Sequence, residues 1–250
     1  MNNLELSGKT AIVTGASRGI GEATARALAG RGAELILVAR SREVIEDLAT
    51  ELSQEGAPAE AIPTDLSDPD SIAALTAKLN ERPRLDILVN NAGVLPRARR
   101  LERMSREEWD GTLSLNLSAA WQLSACAKRL MTEGGVIVNL SSVAAAFPSV
   151  GLGAYCVSKI GVEMLTKASA LEWAPAVRVV GVMPGKVDTQ MIGPILEYVE
   201  KNDLSINLLE RVASPEEVAG LICFLVSDAA ASITGSTIAI DGGEVVAANH

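Results

Sequence analysis

Short, unbroken runs of apolar residues recur along the whole chain and constrain its fold more than any other feature. Six runs are clear and a seventh is weaker: residues 11–13, 35–38, 87–89, 136–138, 177–182 and 238–240, with the weaker one at 59–63. Each run is too short for a helix and lacks the apolar–polar alternation of a strand with one wet face. Such runs are typical of strands in a parallel sheet that is covered on both faces.

Helical patterns fill the intervals between these runs. Asp68 followed by Pro69, and Ser214 followed by Pro215-Glu216-Glu217, are typical helix starts, the second being a capping box. The other patterns cover residues 21–28, 42–52, 106–129 and 154–173. This alternation predicts an α/β fold: a doubly wound, Rossmann-like parallel sheet of seven strands with helices on both faces. No linker, repeat or charge block interrupts it, so we expect one domain over residues 1–250.

The segment 188–211 departs from the alternation. It follows a strand but mixes apolar and charged residues, and Gly193-Pro194 breaks it early. In an open α/β sheet, a long excursion after the carboxyl end of a strand lies over the ligand crevice. We therefore expect a substrate lid at about 188–211, the alternative being a surface excursion without a role.

The composition excludes several kinds of chemistry. The 250 residues include a single histidine, His250, and three cysteines that form no CxxC pair. A histidine triad, a histidine or thiolate metal site and a disulfide framework are therefore not expected, and we predict no metal. With 22 Lys+Arg against 31 Asp+Glu, the net charge of −9 argues against a nucleic-acid partner. Any catalytic chemistry must therefore use Ser, Tyr, Lys, Asn or carboxylate side chains.

Neither the start of the chain nor its longest uncharged stretch resembles a targeting or membrane segment. Residues 1–6 lack the basic flank and apolar core of a signal peptide. The uncharged stretch 134–158 contains Asn139, Pro148 and several serines and glycines, which is typical of strand, loop and helix start. We expect a soluble, cytoplasmic protein with no membrane partner.

A glycine-rich loop follows the first predicted strand and opens the first predicted helix. Its sequence from residue 14 to residue 21 is Thr-Gly-Ala-Ser-Arg-Gly-Ile-Gly. Glycines let the backbone turn tightly and approach a pyrophosphate, whose charge a helix N-terminus favours. Its position at the first strand–helix junction favours a dinucleotide site over the alternative, a simple turn.

Two arginines indicate which dinucleotide is bound. The second predicted strand ends at Ala39-Arg40 with no carboxylate, and Arg18 lies inside the glycine loop. An acidic residue at that strand end accepts from a free ribose hydroxyl, whereas Arg accommodates a 2′-phosphate. The pattern favours NADP(H). The alternative is that both arginines are solvated surface charges.

Tyr155 and Lys159 are four residues apart at the start of a predicted helix, which places phenol and ammonium on one face. A neighbouring Lys⁺ is expected to lower the pKa of a phenol towards the range of acid–base catalysis. Ser142 follows a predicted strand thirteen residues upstream, where a crevice ligand would meet its hydroxyl. These three side chains are the candidate catalytic residues.

Over its whole length, the sequence resembles the short-chain dehydrogenases/reductases of about 250 residues. The motifs that carry the resemblance run from the glycine loop to Asp241-Gly242-Gly243 and include Asp65-Leu66, Asn90-Asn91-Ala92-Gly93, Asn116, Ser142, Tyr155, Lys159, Pro184-Gly185 and Thr189. The resemblance implies an enzyme that moves hydride between a nicotinamide and a carbonyl or secondary alcohol. It also implies a homotetramer with 222 symmetry.

The resemblance implies roles for individual residues. Tyr155 would exchange the proton, Lys159 would depress its pKa and hold the nicotinamide ribose, Ser142 would bond the substrate oxygen, and Asn116 would place a relay water. The implied cofactor-binding set is Gly15, Ser17, Arg18, Gly19, Ile20, Gly21, Arg40, Asp65, Leu66, Asn91, Ala92, Gly93, Tyr155, Lys159, Pro184, Gly185, Val187 and Thr189. Lys186 departs from the usual apolar residue at its position and predicts a bias in substrate charge.

The substrate stays open at this level. The likeness is closest to 3-oxoacyl-carrier-protein reductases, and secondary-alcohol, sugar and steroid dehydrogenases are alternatives. A non-catalytic nucleotide sensor and a sugar-nucleotide epimerase compete on related folds; Tyr155 and Lys159 argue against the first, and the short chain argues against the second. Five arginines in residues 97–106 are either a solvated loop or a surface that steers an anionic or carrier-bound substrate.

Overall fold

The computed structural model of the chain describes residues 5–132, 134–193, 196, 201 and 206–247. Within them, seven strands form one sheet in the order β3-β2-β1-β4-β5-β6-β7, and every neighbouring pair is parallel. The strands are β1 Thr10–Thr14, β2 Glu34–Ala39, β3 Ala59–Pro63, β4 Ile87–Asn90, β5 Gly135–Leu140, β6 Val177–Pro184 and β7 Thr237–Ile240. The predicted fold class and all seven predicted strands are confirmed.

Helices cover both faces of this sheet. In chain order they are α1 Gly19–Ala29, α2 Arg42–Gln54, α3 Pro69–Asn80, α4 Arg106–Leu113, α5 Ala119–Leu130, α6 Gly153–Trp173, α7 Pro215–Val226 and the short α8 Glu244–Ala247. Both predicted helix starts are confirmed. Asp68 accepts from the Ser71 amide at 3.0 Å, and Ser214 and Glu217 form a reciprocal capping box.

The pattern at 106–129 predicts one long helix, and the structure divides it. Between α4 and α5, residues Ser114–Ser118 form a π-helical turn that contains Asn116. At this wider turn the Asn116 side chain accepts a hydrogen bond from the Val94 amide and donates one to the Val94 carbonyl, so a tertiary contact accompanies the departure.

The core lies in two layers, one on each side of the sheet. Successive residues of β1 enter opposite layers: Val13 packs with Leu28 and Leu37, and Ile12 packs with Ile36 and Leu88. Both faces are thus apolar, which explains the unbroken apolar runs. Over the described ranges, no helix is both long and apolar enough to cross a membrane.

Candidate active site

The carboxyl ends of β1 and β4 meet where the chain reverses its direction of winding across the sheet. Strands β2 and β3 lie on one side of β1 in the sheet, whereas β4, β5, β6 and β7 follow one another on the other side. In doubly wound sheets the ligand crevice opens at this switch point. The glycine loop and Asn91, which follow the two strands, lie side by side at this edge.

A long groove of about 760 Å³ opens at the switch point. Among its lining residues are most of the predicted cofactor set: Gly15, Ser17, Arg18, Gly19, Ile20, Arg40, Leu66, Asn91, Ala92, Gly93 and Thr189. The glycine loop runs along the groove at the N-terminus of α1, where amide N–H groups favour a phosphate. The length, the glycine lining and the arginines at one end fit a dinucleotide.

A smaller cavity of about 100 Å³ continues from the inner end of the groove. The two spaces share Ile20, Asn91, Gly93, Thr189 and Met191, so they are one continuous crevice. Here the structure brings together the predicted Ser142, Tyr155, Lys159, Pro184, Gly185 and Val187.

Two predicted residues support the crevice from outside its lining. Gly21 is buried, and a Cβ at that position would collide with the Gly15 carbonyl oxygen, so only glycine allows α1 to pack under the loop. Asp65 directs one carboxylate oxygen to Ser67, accepting from its amide at 2.9 Å and its hydroxyl at 2.6 Å. Its neighbour Leu66 lines the groove instead.

Thr14 and Asn91 fasten the glycine loop to β4. The Thr14 hydroxyl donates to the Val89 carbonyl at 3.1 Å and accepts from the amides of Asn91 and Ala92 at 2.9 and 3.0 Å. The Asn91 side chain donates back to the Thr14 carbonyl at 2.9 Å. Thr14 was not among the predicted site residues; its place at the strand end directly before the glycine loop is the signal that would have identified it.

Tyr155 sits in the inner cavity beside Ser142, which caps the short helical turn after β5. Burial raises the pKa of Tyr155 above its usual value, while the hydrogen bond with Ser142 opposes the rise. The expected lowering of this pKa by Lys159 is not found. The lysine lies 5.7 Å from the centre of the tyrosine ring, and desolvation of the phenolate outweighs such a contact.

Lys159 is buried, and its Nζ donates to the Leu140 carbonyl at 2.8 Å. Burial lowers the pKa of Lys159 from 10.5 to about 8. The ammonium is therefore held by the carboxyl end of β5, at the back of the cavity. A group with a pKa close to neutrality is frequent where protons are exchanged.

Asn116 lies behind the inner cavity and does not line it. Its amide accepts from the Val94 amide at 2.8 Å, donates to the Val94 carbonyl at 3.0 Å, and donates to the Ser158 hydroxyl at 3.1 Å. These contacts fix the loop after β4, so that Val94 forms one wall of the cavity.

Arg18 and Arg40, the two arginines predicted to bind the cofactor, are both exposed, and both have neighbours that the sequence did not reveal. Arg18 donates to the Gln190 side chain at 3.0 Å. Hydrogen bonds from Ser67 lower the pKa of Asp65, and the charge of Arg40 lowers it further. A carboxylate thus lies within the electrostatic reach of Arg40.

Lys186 does not face the substrate as a free charge. Its Nζ lies 2.5 Å from Glu244 Oε1 and donates to the Ile206 carbonyl at 3.0 Å. Glu244 thus compensates the charge of Lys186, which removes the structural basis for the predicted bias in substrate charge.

Part of the predicted lid at 188–211, namely residues 194–195, 197–200 and 202–205, lies outside the described residues. Of the remainder, Met191 and Ile192 line the inner cavity, and Asp188 and Gln190 line the groove. Two backbone hydrogen bonds join the segment after β6 to Ala213. The Asp188 amide donates to the Ala213 carbonyl at 2.8 Å, and the Ala213 amide donates to the Lys186 carbonyl at 3.0 Å.

The fold and the crevice define a dinucleotide-binding α/β protein, and comparison with known proteins extends this. A family model described as enoyl-(acyl carrier protein) reductase matches residues 15–244. The 3-oxoacyl-[acyl-carrier-protein] reductase FabG of Thermotoga maritima is 37% identical over 249 residues, covering 97% of this chain and 100% of its own. D-threitol dehydrogenase of Mycolicibacterium smegmatis is 39% identical over 250 residues, covering 98% and 95%.

A solved structure from Beutenbergia cavernae has the same fold. It is described as a candidate NAD(P)-dependent gluconate 5-dehydrogenase with NADP bound at low occupancy; its TM-score is 0.92, with 35% identity and coverage of 98% and 99%. This chain belongs to the short-chain dehydrogenase/reductase family. Members of that family are oxidoreductases that use NAD(P).

Proposed function

We propose that residues 1–250 act as a single catalytic domain, an NADP(H)-dependent carbonyl reductase that also runs in reverse as an alcohol dehydrogenase. The observation that carries this proposal is the convergence of Ser142, Tyr155 and Lys159 on one small cavity at the inner end of a dinucleotide-sized groove. A non-catalytic nucleotide sensor would have no use for a hydroxyl, a phenol and an ammonium at that point.

The proposed cofactor residues are those of the glycine loop, the strand ends and the segment after β6. Arg18 and Arg40 would hold the 2′-phosphate, Gly19 and Ile20 at the N-terminus of α1 the pyrophosphate, and Thr189 the nicotinamide end. When bound, the nicotinamide supplies or accepts the hydride. Gly21 and Asp65 would act indirectly, by packing and by positioning Leu66.

Proton transfer is assigned to Tyr155. An ordinary phenol, with a pKa near 10, is protonated at neutral pH, and burial shifts the pKa of Tyr155 further in that direction. The phenol therefore holds a proton to donate to a substrate carbonyl oxygen. Ser142 would donate a second hydrogen bond to the same oxygen. Lys159, whose pKa is about 8, would stabilise the phenolate that forms and return a proton to it. Asn116 would position a relay water or, through Val94, the cavity wall.

The substrate is a small carbonyl compound or secondary alcohol. Val94, Met191 and Ile192 give the inner cavity an apolar wall beyond the catalytic hydroxyls. The relatives described above are named for a carrier-bound oxoacyl group, a tetritol and a sugar acid, so 3-oxoacyl-carrier-protein reduction is one specific version of the proposal. Sugar, steroid and secondary-alcohol oxidation are the others.

We propose a homotetramer with 222 symmetry as the working form. Along α6, Val157, Ile160 and Met164 are 45%, 47% and 62% exposed and recur on one helix face, and Trp121 on α5 is 53% exposed. Large apolar side chains clustered in this way are typical of a subunit interface. Light scattering in dilute neutral buffer is expected to give four times the chain mass of 26.1 kDa; a monomer mass would contradict the assembly.

The experiment that tests the activity is an NADPH-oxidation screen over a panel of ketones, 3-oxoacyl thioesters and keto sugars, with product identified by chromatography. We expect turnover of at least one class and stoichiometric formation of the alcohol. NADPH binding measured by fluorescence, combined with no turnover across the panel and no alcohol oxidation with NADP⁺, would favour the sensor.

A further inference from the structure

The loop between β4 and α4 carries a cluster of exposed positive charge. Here we call residues 97–103 the arginine segment; it holds four arginines and one acid, Glu102, in a chain of net charge −9. All four arginines are exposed. Arg99 pairs with Glu108 at 2.9 Å. Arg97, Arg100 and Arg103 form no ion pair with any described residue, so three guanidinium groups are open to an external anion.

Two of these arginines are joined by one backbone turn. Leu101–Arg103 form one turn of 3₁₀-helix, and Arg100 is its N-cap residue with an extended backbone. The Arg103 amide donates to the Arg100 carbonyl at 2.9 Å, which closes the turn. The two side chains therefore start from adjacent points of the backbone, and their length allows both guanidinium groups to reach one carboxylate.

The arginine segment is fastened to the turn that begins the catalytic helix. The Arg99 amide donates to the Gly151 carbonyl at 2.8 Å, four residues before Tyr155. Gly151 has φ +83°, and a Cβ there would lie 3.1 Å from the Ala98 Cβ, so only glycine permits this close approach. The position of the open arginines relative to Tyr155 is thus set by direct backbone packing.

The inner cavity lies within reach of the same segment. Val94 forms part of the cavity wall and precedes Arg97 by three residues. Three residues of fully extended chain span at most about 11 Å. Arg97 therefore lies within about 11 Å of Val94, and a molecule of moderate length with its carbonyl at Tyr155 can extend past the apolar wall to this near end of the arginine segment.

The surrounding carboxylates restrict the positive charge to a small area. Immediately beyond the segment, Glu107, Glu108 and Asp110 occupy the first turns of α4, and Arg106 is paired with Asp110 at 2.5 Å. A broad acidic protein surface laid over this region would meet these carboxylates as well as the arginines. A single small anion meets only the open guanidinium groups.

We propose that Arg97, Arg100 and Arg103 bind a carboxylate carried by the substrate itself, at the end remote from the reacting carbonyl. This inference rests on the proposed function, since it takes Tyr155 as the site of reaction. It narrows the substrate class to keto acids, or the corresponding hydroxy acids, with an apolar stretch between the two groups. The open arginines would fix which end of such a molecule enters the cavity.

The test uses 4-oxopentanoate, 5-oxohexanoate, 6-oxoheptanoate and 7-oxooctanoate, each with its methyl ester, as NADPH-dependent substrates of the full chain. We expect kcat/KM for at least one acid to exceed that of its ester by about tenfold, with an advantage that shrinks as salt rises. Arg100→Gln with Arg103→Gln should remove most of that ratio, and Arg97→Gln part of it.

The matched control is Lys128→Gln with Arg129→Gln, which removes the same charge from exposed positions at the end of α5, near the amino end of β5. It should keep the acid-to-ester ratio within twofold. Equal kcat/KM for acids and esters, or equal effects of the two double variants, would overturn the proposal. Preference for carrier-linked thioesters alone, with no acid advantage, would assign the arginine segment to a protein partner instead.

Binding separates this inference from the proposed function. If no ketone is turned over, calorimetric titration of the NADPH-loaded protein with 6-oxoheptanoate and with its ester still shows whether the arginine segment binds a carboxylate. Tighter binding of the acid that is lost in Arg100→Gln/Arg103→Gln supports the arginine segment as an anion site even though hydride transfer has failed. Equal binding of acid and ester rejects it.

Discussion

Lys186 and Glu244, 58 residues apart in sequence, form an ion pair of 2.5 Å that fastens the end of β6 to α8. Each side chain is only 16% exposed. Glu244 Oε2 is buried and has no hydrogen-bond partner among the described residues, and it lies 2.9 Å from where a Cβ on Gly185 would stand. The pair is thus packed directly behind the wall of the inner cavity that Gly185 and Val187 form.

Breaking this pair should destabilise the fold. We expect Lys186→Met and Glu244→Leu each to lower the free energy of unfolding by about 2–3 kcal/mol, because each leaves an uncompensated, mostly buried charge. The double variant should lose less than the sum, with a coupling energy of about 1–3 kcal/mol. Urea unfolding of all four proteins measures this. Additive losses would mean that the two charges do not stabilise one another.

Tyr155→Phe should abolish catalysis and spare cofactor binding. The ring remains, but the hydroxyl that lies beside Ser142 is lost, and general acid catalysis contributes about 10²–10⁴ in rate. We expect kcat to fall by that factor, with the dissociation constant for NADPH, measured by fluorescence, unchanged. Activity within a few-fold of wild type would remove Tyr155 from the mechanism.

The parts of this fold that depend on local sequence were predictable. Strands buried on both faces leave unbroken apolar runs such as residues 136–138. The helix start at Asp68 is predicted from the adjacent Pro69, and that at Ser214 from Glu217, three residues further on. The order of motifs likewise identified the residues that line the crevice. These features need no knowledge of which segments meet in space.

The features that the sequence could not predict are tertiary. The Lys186–Glu244 pair joins the end of β6 to α8, and nothing local indicates it. The raised pKa of Tyr155 follows from how deeply the phenol is packed, which spacing to Lys159 does not reveal. The π-helical turn at Asn116 accompanies contacts with Val94, 22 residues upstream.

Cofactor preference is expected to follow Arg18 and Arg40. Hydrogen bonds to a charged phosphate contribute about 1.5–3 kcal/mol each, reduced here because both arginines are exposed, which leaves a preference for NADPH of about ten- to a hundredfold. Ala39→Asp with Arg40→Leu should reverse it, since a carboxylate repels the phosphate and accepts from a free hydroxyl. The measurement is kcat/KM for both cofactors on both proteins.

Arg42→Leu is the control for that experiment. Arg42 is exposed, two residues beyond Arg40, and paired with Glu46 at 3.0 Å, so its loss should leave the preference within twofold. Wild-type protein that uses NADH as well as NADPH would show that Arg18 and Arg40 are only surface charges. An unchanged preference in Ala39→Asp/Arg40→Leu would assign discrimination to other residues of the groove.

The buried charge of Lys159 should lower the free energy of unfolding at neutral pH. Because burial lowers its pKa from 10.5 to about 8, the unfolded chain binds the proton more tightly than the folded chain. The free energy of unfolding therefore rises with pH between about 8 and 10.5. Below that window the penalty is complete, on the order of 3 kcal/mol at about 1.4 kcal/mol per pKa unit.

Lys159→Met should therefore stabilise the fold at pH 7 while it inactivates the enzyme. The methionine removes the buried charge but leaves the Leu140 carbonyl without its 2.8 Å hydrogen bond, which costs about 1 kcal/mol, so a net gain of about 1–2 kcal/mol is expected. The gain should vanish as pH approaches 10. Lys167→Met, at an exposed position of α6, should change stability by less than about 0.5 kcal/mol at every pH. The measurement is the free energy of unfolding of wild type and both variants in denaturant at pH 7, 8.5 and 10. If Lys159→Met lowers that free energy by the same amount at every pH, the ammonium is fully compensated in the folded protein.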